Sequence, residues 1–312
     1  MRSQFLIIAG IIFLFTLSSG CIASDGNTQL NLTFFDVGQG DACLVQIHNK
    51  TMLVDAGPYE AGPGIIDWLK TRNITSLDVV VATHPHSDHI GGMPTVLKQE
   101  KTGIFIDAGD SHTTPTYEVL LKTIEKFKIP YRVVHEGDQI DLDPAVTISV
   151  LNPGFTYSGD LNDNSIVLEI NSGDRKFLLM GDAGIPVEDK LLKEGRDLKA
   201  DLLKVGHHGS RHSSGRRFIE AVSPEIAIIS LEAGNEYGFP QKDPVKYLTD
   251  AGSQIYRTDQ EGTITVTADQ KNLIVKSEKT SSPSTDCNCS QMQGVCKSQE
   301  SRSNSCCLSC GV

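Results

Sequence analysis

The sequence has no surplus of positive charge: 28 Lys and Arg stand against 39 Asp and Glu in 312 residues, a formal net charge of −11. That excludes a surface that binds polyanions everywhere, though not a local one. The chain also lacks a glycine-rich phosphate loop, which argues against a doubly wound nucleotide fold. It shows no repeat of solenoid period, so a stacked-repeat architecture is excluded as well. Long apolar runs are missing apart from Phe5 to Leu17, which is too short for a comfortable membrane-spanning helix. Cysteine is scarce in the body of the chain. Six of the eight (Cys287, Cys289, Cys296, Cys306, Cys307, Cys310) crowd near the end, leaving Cys21 and Cys43.

The apolar run at Phe5 follows the basic start Met1-Arg2-Ser3 and has the length of a secretory h-region. Leu17-Ser18-Ser19-Gly20-Cys21 resembles a lipobox, with Ser18 where leucine is usual. We therefore expect a signal peptide over 1–20 and a lipidated tether over 21–29 with Cys21 as the modified residue, an uncleaved N-terminal anchor being the alternative. Either arrangement places the protein outside the cytoplasm, anchored to the cell membrane. An oxidising compartment permits disulfides, so the six-cysteine tail over 287–312, set off by a polar linker over 277–286, is expected to form them. Cys43, in the run Ala42-Cys43-Leu44-Val45, reads as a small core residue.

From Leu30 to Lys276 short apolar runs of strand length alternate with turn signals and helical stretches. Asn31–Asp36, Cys43–His48, Thr51–Asp55 and Asp78–Thr83 read as strands, and Ile65–Thr71, Met93–Lys98 and Thr116–Lys128 as helices. Strands mixed with helices throughout predict one α/β (α+β) domain over 30–276, with sheets covered by helices.

The chemistry concentrates in Thr83-His84-Pro85-His86-Ser87-Asp88-His89, where an apolar strand stops abruptly. Three histidines and an aspartate in six residues can converge on cations, because imidazole suits zinc and carboxylate helps hold a harder metal. Between Lys199 and Arg217 five basic residues stand against one acid, and His207, His208 and His212 lie among them. That stretch is either a solvated face or a local phosphate-binding surface.

The His-x-His-x-Asp-His loop resembles the signature of the metallo-β-lactamase superfamily. The resemblance extends to Met52-Leu53-Val54-Asp55-Ala56-Gly57 and to Phe177-Leu178-Leu179-Met180-Gly181-Asp182. Further blocks, Phe35 to Ala42, Asn162 to Leu168, Leu203 to Ser210 and Asn235 to Pro240, resemble the hydrolase domain of the ComEC family of DNA-uptake proteins. The resemblance implies a four-layer αβ/βα sandwich and one or two divalent metals, zinc or manganese. It implies His84 and His86 at a first metal, Asp88 and His89 at a second, Asp182 as the bridge and Asp55 as support for the loop. His207 or His208 would be a ligand or a proton donor, and Asp88, His207 and His208 would form the catalytic group. Ser210, Arg211, Asn164 and Ser165 are candidates for binding phosphate. The implied activity is hydrolysis of a phosphodiester, with nucleic acid as partner. The rivals are ester, lactone or β-lactam hydrolysis, or a surface binding module with a degenerate metal site.

Two departures from the family pattern stand out. The usual third histidine of the first site is missing; His112 and His135 lie in the interval without a matching motif, and Asp163 or His207 could take the place. The last block normally reads Tyr-Gly-His-Pro but here carries Phe239, which cannot ligate. A second metal position that is weakly held, or richer in oxygen ligands, is the resulting expectation.

Overall fold

The computed structural model describes residues 29–269 and 272–279, so the expected signal peptide, the lipidation at Cys21 and the cysteine-rich tail lie outside the described residues. Along the chain come β1 (Leu30–Phe34), β2 (Cys43–Ile47), β3 (Lys50–Val54), α1 (Ala61–Thr71), β4 (Ser76–Val81), α2 (Ser87–Ile90), α3 (Met93–Gln99), β5 (Lys101–Asp107), α4 (Pro115–Phe127) and β6 (Tyr131–Val133). They are followed by β7 (Thr147–Asn152), β8 (Val167–Ser172), β9 (Arg175–Leu179), α5 (Ile185–Lys193), β10 (Leu202–Lys204), α6 (Arg216–Val222), β11 (Ile226–Ile229), α7 (Lys242–Asp250), β12 (Gln254–Arg257), α8 (Thr258–Glu261), β13 (Ile264–Ala268) and β14 (Leu273–Ser277). Short 3-10 turns cover Asn162–Asn164 and Gly206–Gly209.

Two sheets form. One runs β14-β13-β1-β2-β3-β4-β5-β6 and the other β12-β11-β10-β9-β8-β7. Side-chain parity then builds the layers, because successive residues of a strand face opposite sides. Val79 and Val81 of β4 point between the sheets with Phe177 and Leu179 of β9 and Leu202 of β10. Their neighbours Val80 and Phe105 face α1, α3 and α4, packing on Ile65, Ile66, Val96, Leu97 and Leu120. On the far side Leu178 and Leu203 pack on Val187 and Leu191 of α5, Phe218 and Ile219 of α6 and Leu248 of α7. The result is the αβ/βα sandwich. Truncating a fully buried residue such as Phe105 or Phe177 to alanine would cost about 3–5 kcal/mol. Among the described residues no helix is long and apolar enough to cross a membrane.

Strand positions agree with the sequence pattern to within a few residues. The loop 83–92 differs from its expected irregular course, since it contains the one-turn helix α2, too short to leave a periodic signal. Gly91 N donates to Ser87 O and Ile90 N to His86 O, and the turn sets Asp88 and His89 on adjacent faces. Gly40 makes a second close approach possible. Its φ is +145°, and a Cβ there would lie 2.2 Å from the Asp88 carbonyl oxygen, so only glycine lets the 38–41 turn pack on this loop.

Both sheets contribute parallel strands, β3 to β6 in one and β9 to β12 in the other. Asp55 follows β3, His84 to His89 follow β4, Asp182 follows β9 and His208 follows β10. The candidate residues therefore gather at one edge of the sandwich, beyond the carboxyl ends of these strands.

Candidate metal centre

Asp182 sits at the centre of the cluster. Its Oδ1 lies 3.3 Å from His89 Nε2, and its Oδ2 lies 3.7 Å from His208 Nε2, 3.8 Å from His84 Nε2 and 3.9 Å from His207 Nε2. Asp88 Oδ2 is 3.4 Å from His208 Nε2 and 3.8 Å from His89 Nε2. His84, His89 and Asp182 form one compact donor set, and Asp88, His89 and His208 another.

The ring orientations are fixed from behind. His89 Nδ1 lies 2.8 Å from Asp55 Oδ2, whose other oxygen accepts from Thr83 N at 2.8 Å. His208 Nδ1 lies 2.9 Å from the Ser230 carbonyl oxygen. A carboxylate and a carbonyl accept, so Nδ1 donates in both rings and each Nε2 faces Asp182, where a metal would take the place of its proton. His89 Nε2, His208 Nε2 and Asp182 Oδ1 are buried and have no hydrogen-bond partner. Leaving such atoms unsatisfied costs about 1–3 kcal/mol each, and a divalent cation between them satisfies all three at once. The residues present thus fit a metal.

The electrostatics agree. Burial would raise the Asp182 carboxyl, yet His89 and His208 beside it hold it well below the usual carboxylate range. Burial would lower His89, yet Asp182, Asp55 and Asp88 hold its imidazole well above the usual value. Burial, with His89 next to it, pushes His84 well below, so its ring is neutral. Protons drawn onto His89 and His208 by these acids are the ones a cation displaces on binding.

The 207–208 pair is split between the cluster and its wall. Both residues have left-handed backbones, with φ of 46° and 54°, a conformation that costs of order 1 kcal/mol or more each for a residue with a Cβ. That turn sends the His208 ring, fully buried, into the donor cluster and leaves the half-buried His207 ring on the cleft wall. His208 rather than His207 therefore joins the compact donor sets. His86 Nδ1 is 3.0 Å from His84 Nε2, and His86 belongs to neither compact set.

Other candidates sit elsewhere. Asp163 turns Oδ1 to Gly184 N at 3.1 Å, outside the donor sets. His135 stacks on Phe155, and His112 lines the cleft beside His86. Asn164 and Ser165 are corrected from phosphate-binding to supporting positions. Both are buried, Asn164 bonding Asp110 and Ser158, and Ser165 Oγ accepting from Asp182 N at 3.1 Å. Ser210 is buried too, its Oγ accepting from His212 N, while exposed Arg211 bonds Gln241 through its backbone. The basic stretch does not form one surface. Lys204 is buried against Asp41, Arg216 pairs with Asp250 and Arg217 approaches Asp189.

The expected weakness of the second position finds no support in the donor geometry: Asp88, His89, His208 and Asp182 converge without residue 239, whose ring lies 6.2 Å from His208 and 5.6 Å from His207 as part of the wall. Sequence reasoning gave no role to Asp41 and counted Lys204 only among the residues of the basic stretch. Lys204 Nζ donates to Asp41 Oδ2 at 2.8 Å, and Asp41 Oδ1 lies 3.5 Å from His208 Nδ1, so this buried pair backs the second position. A lysine inside the apolar run Leu202 to Val205 was the available signal.

The metallo-beta-lactamase superfamily profile matches residues 35–233. ComE operon protein 3 of Bacillus subtilis is 29% identical over 283 residues, covering 84% of this chain and 36% of that protein. Competence protein ComA of Neisseria gonorrhoeae is 32% identical over 235 residues, covering 75% of this chain and 31% of that protein. The chain thus spans about a third of the length of these relatives. Among solved structures, the metallo-beta-lactamase fold protein YhfI from Bacillus subtilis superposes with a TM-score of 0.53 at 14% identity, over 79% of this chain and all of that one. With two sheets, flanking helices and a shared aspartate between histidine pairs, the chain belongs to the metallo-β-lactamase superfamily, and within it resembles the ComEC group.

Proposed function

We propose that the protein is a metal-dependent phosphodiesterase that cleaves nucleic acid outside the cytoplasm, tethered to the membrane by its N-terminal segment. The observation that carries the hydrolase reading is the convergence of the unpartnered buried atoms His89 Nε2, His208 Nε2 and Asp182 Oδ1. Similarity to a protein named for competence, together with the resemblance of several sequence blocks to the DNA-uptake family, favours a nucleic-acid phosphodiester. The tether rests on the lipobox-like stretch at Cys21.

Asp88, His89, Asp182 and His208 would hold the tighter metal at the second position, either zinc or manganese, with His84 and His86 completing the first position around Asp182. A divalent cation there supplies the Lewis acidity that makes water a nucleophile near neutral pH. The protein's own groups orient and exclude. Asp55 and the Ser230 carbonyl hold the two imidazoles, and Ser165 Oγ holds the backbone of Asp182. Burial lowers the His207 imidazole, leaving it neutral on the wall where it can exchange a proton with a leaving group.

Hydrolysis of a neutral ester or lactone is the second reading, favoured by one feature: no Lys or Arg lines the two clefts at the cluster among the described residues. Purified full-length protein loaded with manganese or zinc should cleave bis(p-nitrophenyl) phosphate and an oligonucleotide. Cleavage of p-nitrophenyl acetate alone would replace the first reading with the second. For the tether, Cys21→Ser should move the protein from the membrane fraction to the soluble one.

A further inference from the structure

The cleft that opens on the donor cluster is lined by His86, Asp88, His112, Asn162, Tyr237 and Phe239, among others. With no Lys or Arg in its lining among the described residues, the cleft has no permanently cationic side chain with which to hold a nucleic acid by phosphate pairing. It offers rings instead. The Phe239 ring lies 6.2 Å from His208 with 29° between the planes, and Tyr237 lies 5.5 Å from Phe239 with 18° between the planes. Three nearly parallel rings therefore lead from the metal ligands to the mouth of the cleft.

The outer rings are held in place. Asn235 accepts from Phe239 N at 3.0 Å and donates to Phe239 O at 2.8 Å, closing the turn on which Tyr237 and Gly238 stand. Yet Tyr237 is 56% exposed, with one neighbour stacked on it. A large ring that is fixed but not buried gains little from its position by way of the core. Tyr237 also lines the same cleft as Asp88 and His208. The platform therefore stands beside the ligands themselves.

We propose that Tyr237 is a stacking platform for an unpaired nucleobase next to the scissile phosphate, an inference that rests on the phosphodiesterase reading. Stacking is tolerant of base identity, because every base has a π-face, so the site discriminates strand state and not sequence. A base inside a duplex already has both faces covered and must be unstacked first. Single strands and short oligonucleotides are the favoured substrates.

The test is titration of the full-length protein, stripped of metal, with a trinucleotide carrying central 2-aminopurine, whose fluorescence is quenched on stacking. Wild type should quench it, Tyr237→Phe should retain the quench, and Tyr237→Ala should lose it and bind about tenfold more weakly. An abasic trinucleotide should compete poorly with wild type and as well as its parent with Tyr237→Ala, and a blunt duplex should compete poorly throughout. No quench with wild type, equal quench with Tyr237→Ala, or a duplex that competes as well as a single strand would overturn the platform. Turnover is scored separately with metal restored. Stacking without cleavage of any phosphodiester removes the hydrolytic reading and leaves the platform; cleavage that ignores Tyr237 does the reverse.

Discussion

The two halves of the donor cluster are pinned to the fold by different means. On the side of Asp88, His89 and His208, each imidazole gives its Nδ1 proton to a fixed acceptor, the Asp55 carboxylate or the Ser230 carbonyl, and presents Nε2 to Asp182. On the other side His84 and His86 face each other at 3.0 Å, so the His84 nitrogen that looks toward Asp182 also lies against a ring. Partners behind a ligand are worth about 10–100-fold in metal affinity. On the proposed two-metal reading the stronger position is the one where His89, His208 and Asp182 are each backed by a second residue. His84 is backed too, its Nδ1 3.1 Å from Thr83 Oγ1, but its Nε2 faces His86, which would have to reorient for the weaker position to open.

The largest effect should come from removing what the halves share. Asp182→Ala is expected to empty both positions and lower activity by more than about 100-fold, beyond the loss a supporting residue causes. His86→Ala should empty only the weaker position and keep the tighter equivalent, with the fold intact because the core lies between and behind the sheets. Metal analysis of the two purified variants decides. Wild-type metal content in Asp182→Ala, or complete metal loss in His86→Ala, would break the comparison.

This asymmetry also marks what the sequence could and could not reveal. His84 to His89 were legible because consecutive residues on one loop need no fold to meet. Sheets covered by helices were legible from strands mixed with helices along the chain, and the four-layer order only through the family resemblance, because β4, β9 and β10 are apolar on both faces and do not alternate. Which of His207 and His208 turns inward was not, since it depends on two successive left-handed residues that composition does not announce. The polar groups of Asn164 and Ser165 looked available for phosphate, but burial had already committed them to Ser158, Asp110 and the Asp182 backbone. Charge counted along the chain misled for a similar reason: Lys204 is turned inward by strand parity, away from the exposed Arg216 and Arg217.

Phe239→His sharpens the comparison at a smaller scale. Residue 239 borders the well-supplied half, which has four protein donors without it. The variant is therefore expected to leave metal stoichiometry unchanged and shift affinity by less than the roughly tenfold that a backing residue is worth. Loss of the ring from its place between Tyr237 and His208 should lower thermal stability modestly, since Phe239 is only partly buried. A gain of a full metal equivalent, or a shift of preference toward zinc relative to wild type, would make residue 239 a ligand position and restore the weakness to the second site.

The smallest effect on metal content is expected at Glu188, which holds the His208 side of the cluster from a distance. This α5 residue is buried, and its carboxylate accepts from Ser214 N and, at 2.8 Å, from Gly215 N at the start of α6, tying down the segment that follows His208. Burial pushes its pKa up from 4.5 to about 7, with Asp189 and Asp163 adding to the rise and the two backbone donors opposing it. Between these values the folded chain binds a proton that the unfolded chain has released, so this group's contribution falls as pH rises. It is most favourable below pH 4.5 and is lost as pH passes about 7, a difference of about 3 kcal/mol at most. Glu188→Gln keeps an acceptor for one of the two amides, turns its NH2 to the other at a cost that does not vary with pH, and carries no charge at any pH. Carboxylates lowered by their partners, such as Asp78 and Glu136, impose the opposite trend on both proteins alike, so the informative quantity is the difference in melting temperature between variant and wild type. That difference should favour the variant increasingly from pH 4.5 to 7 while metal content stays the same. A difference that does not change across this window would mean that Glu188 is ionised throughout and that the clamp on α6 is worth its charge.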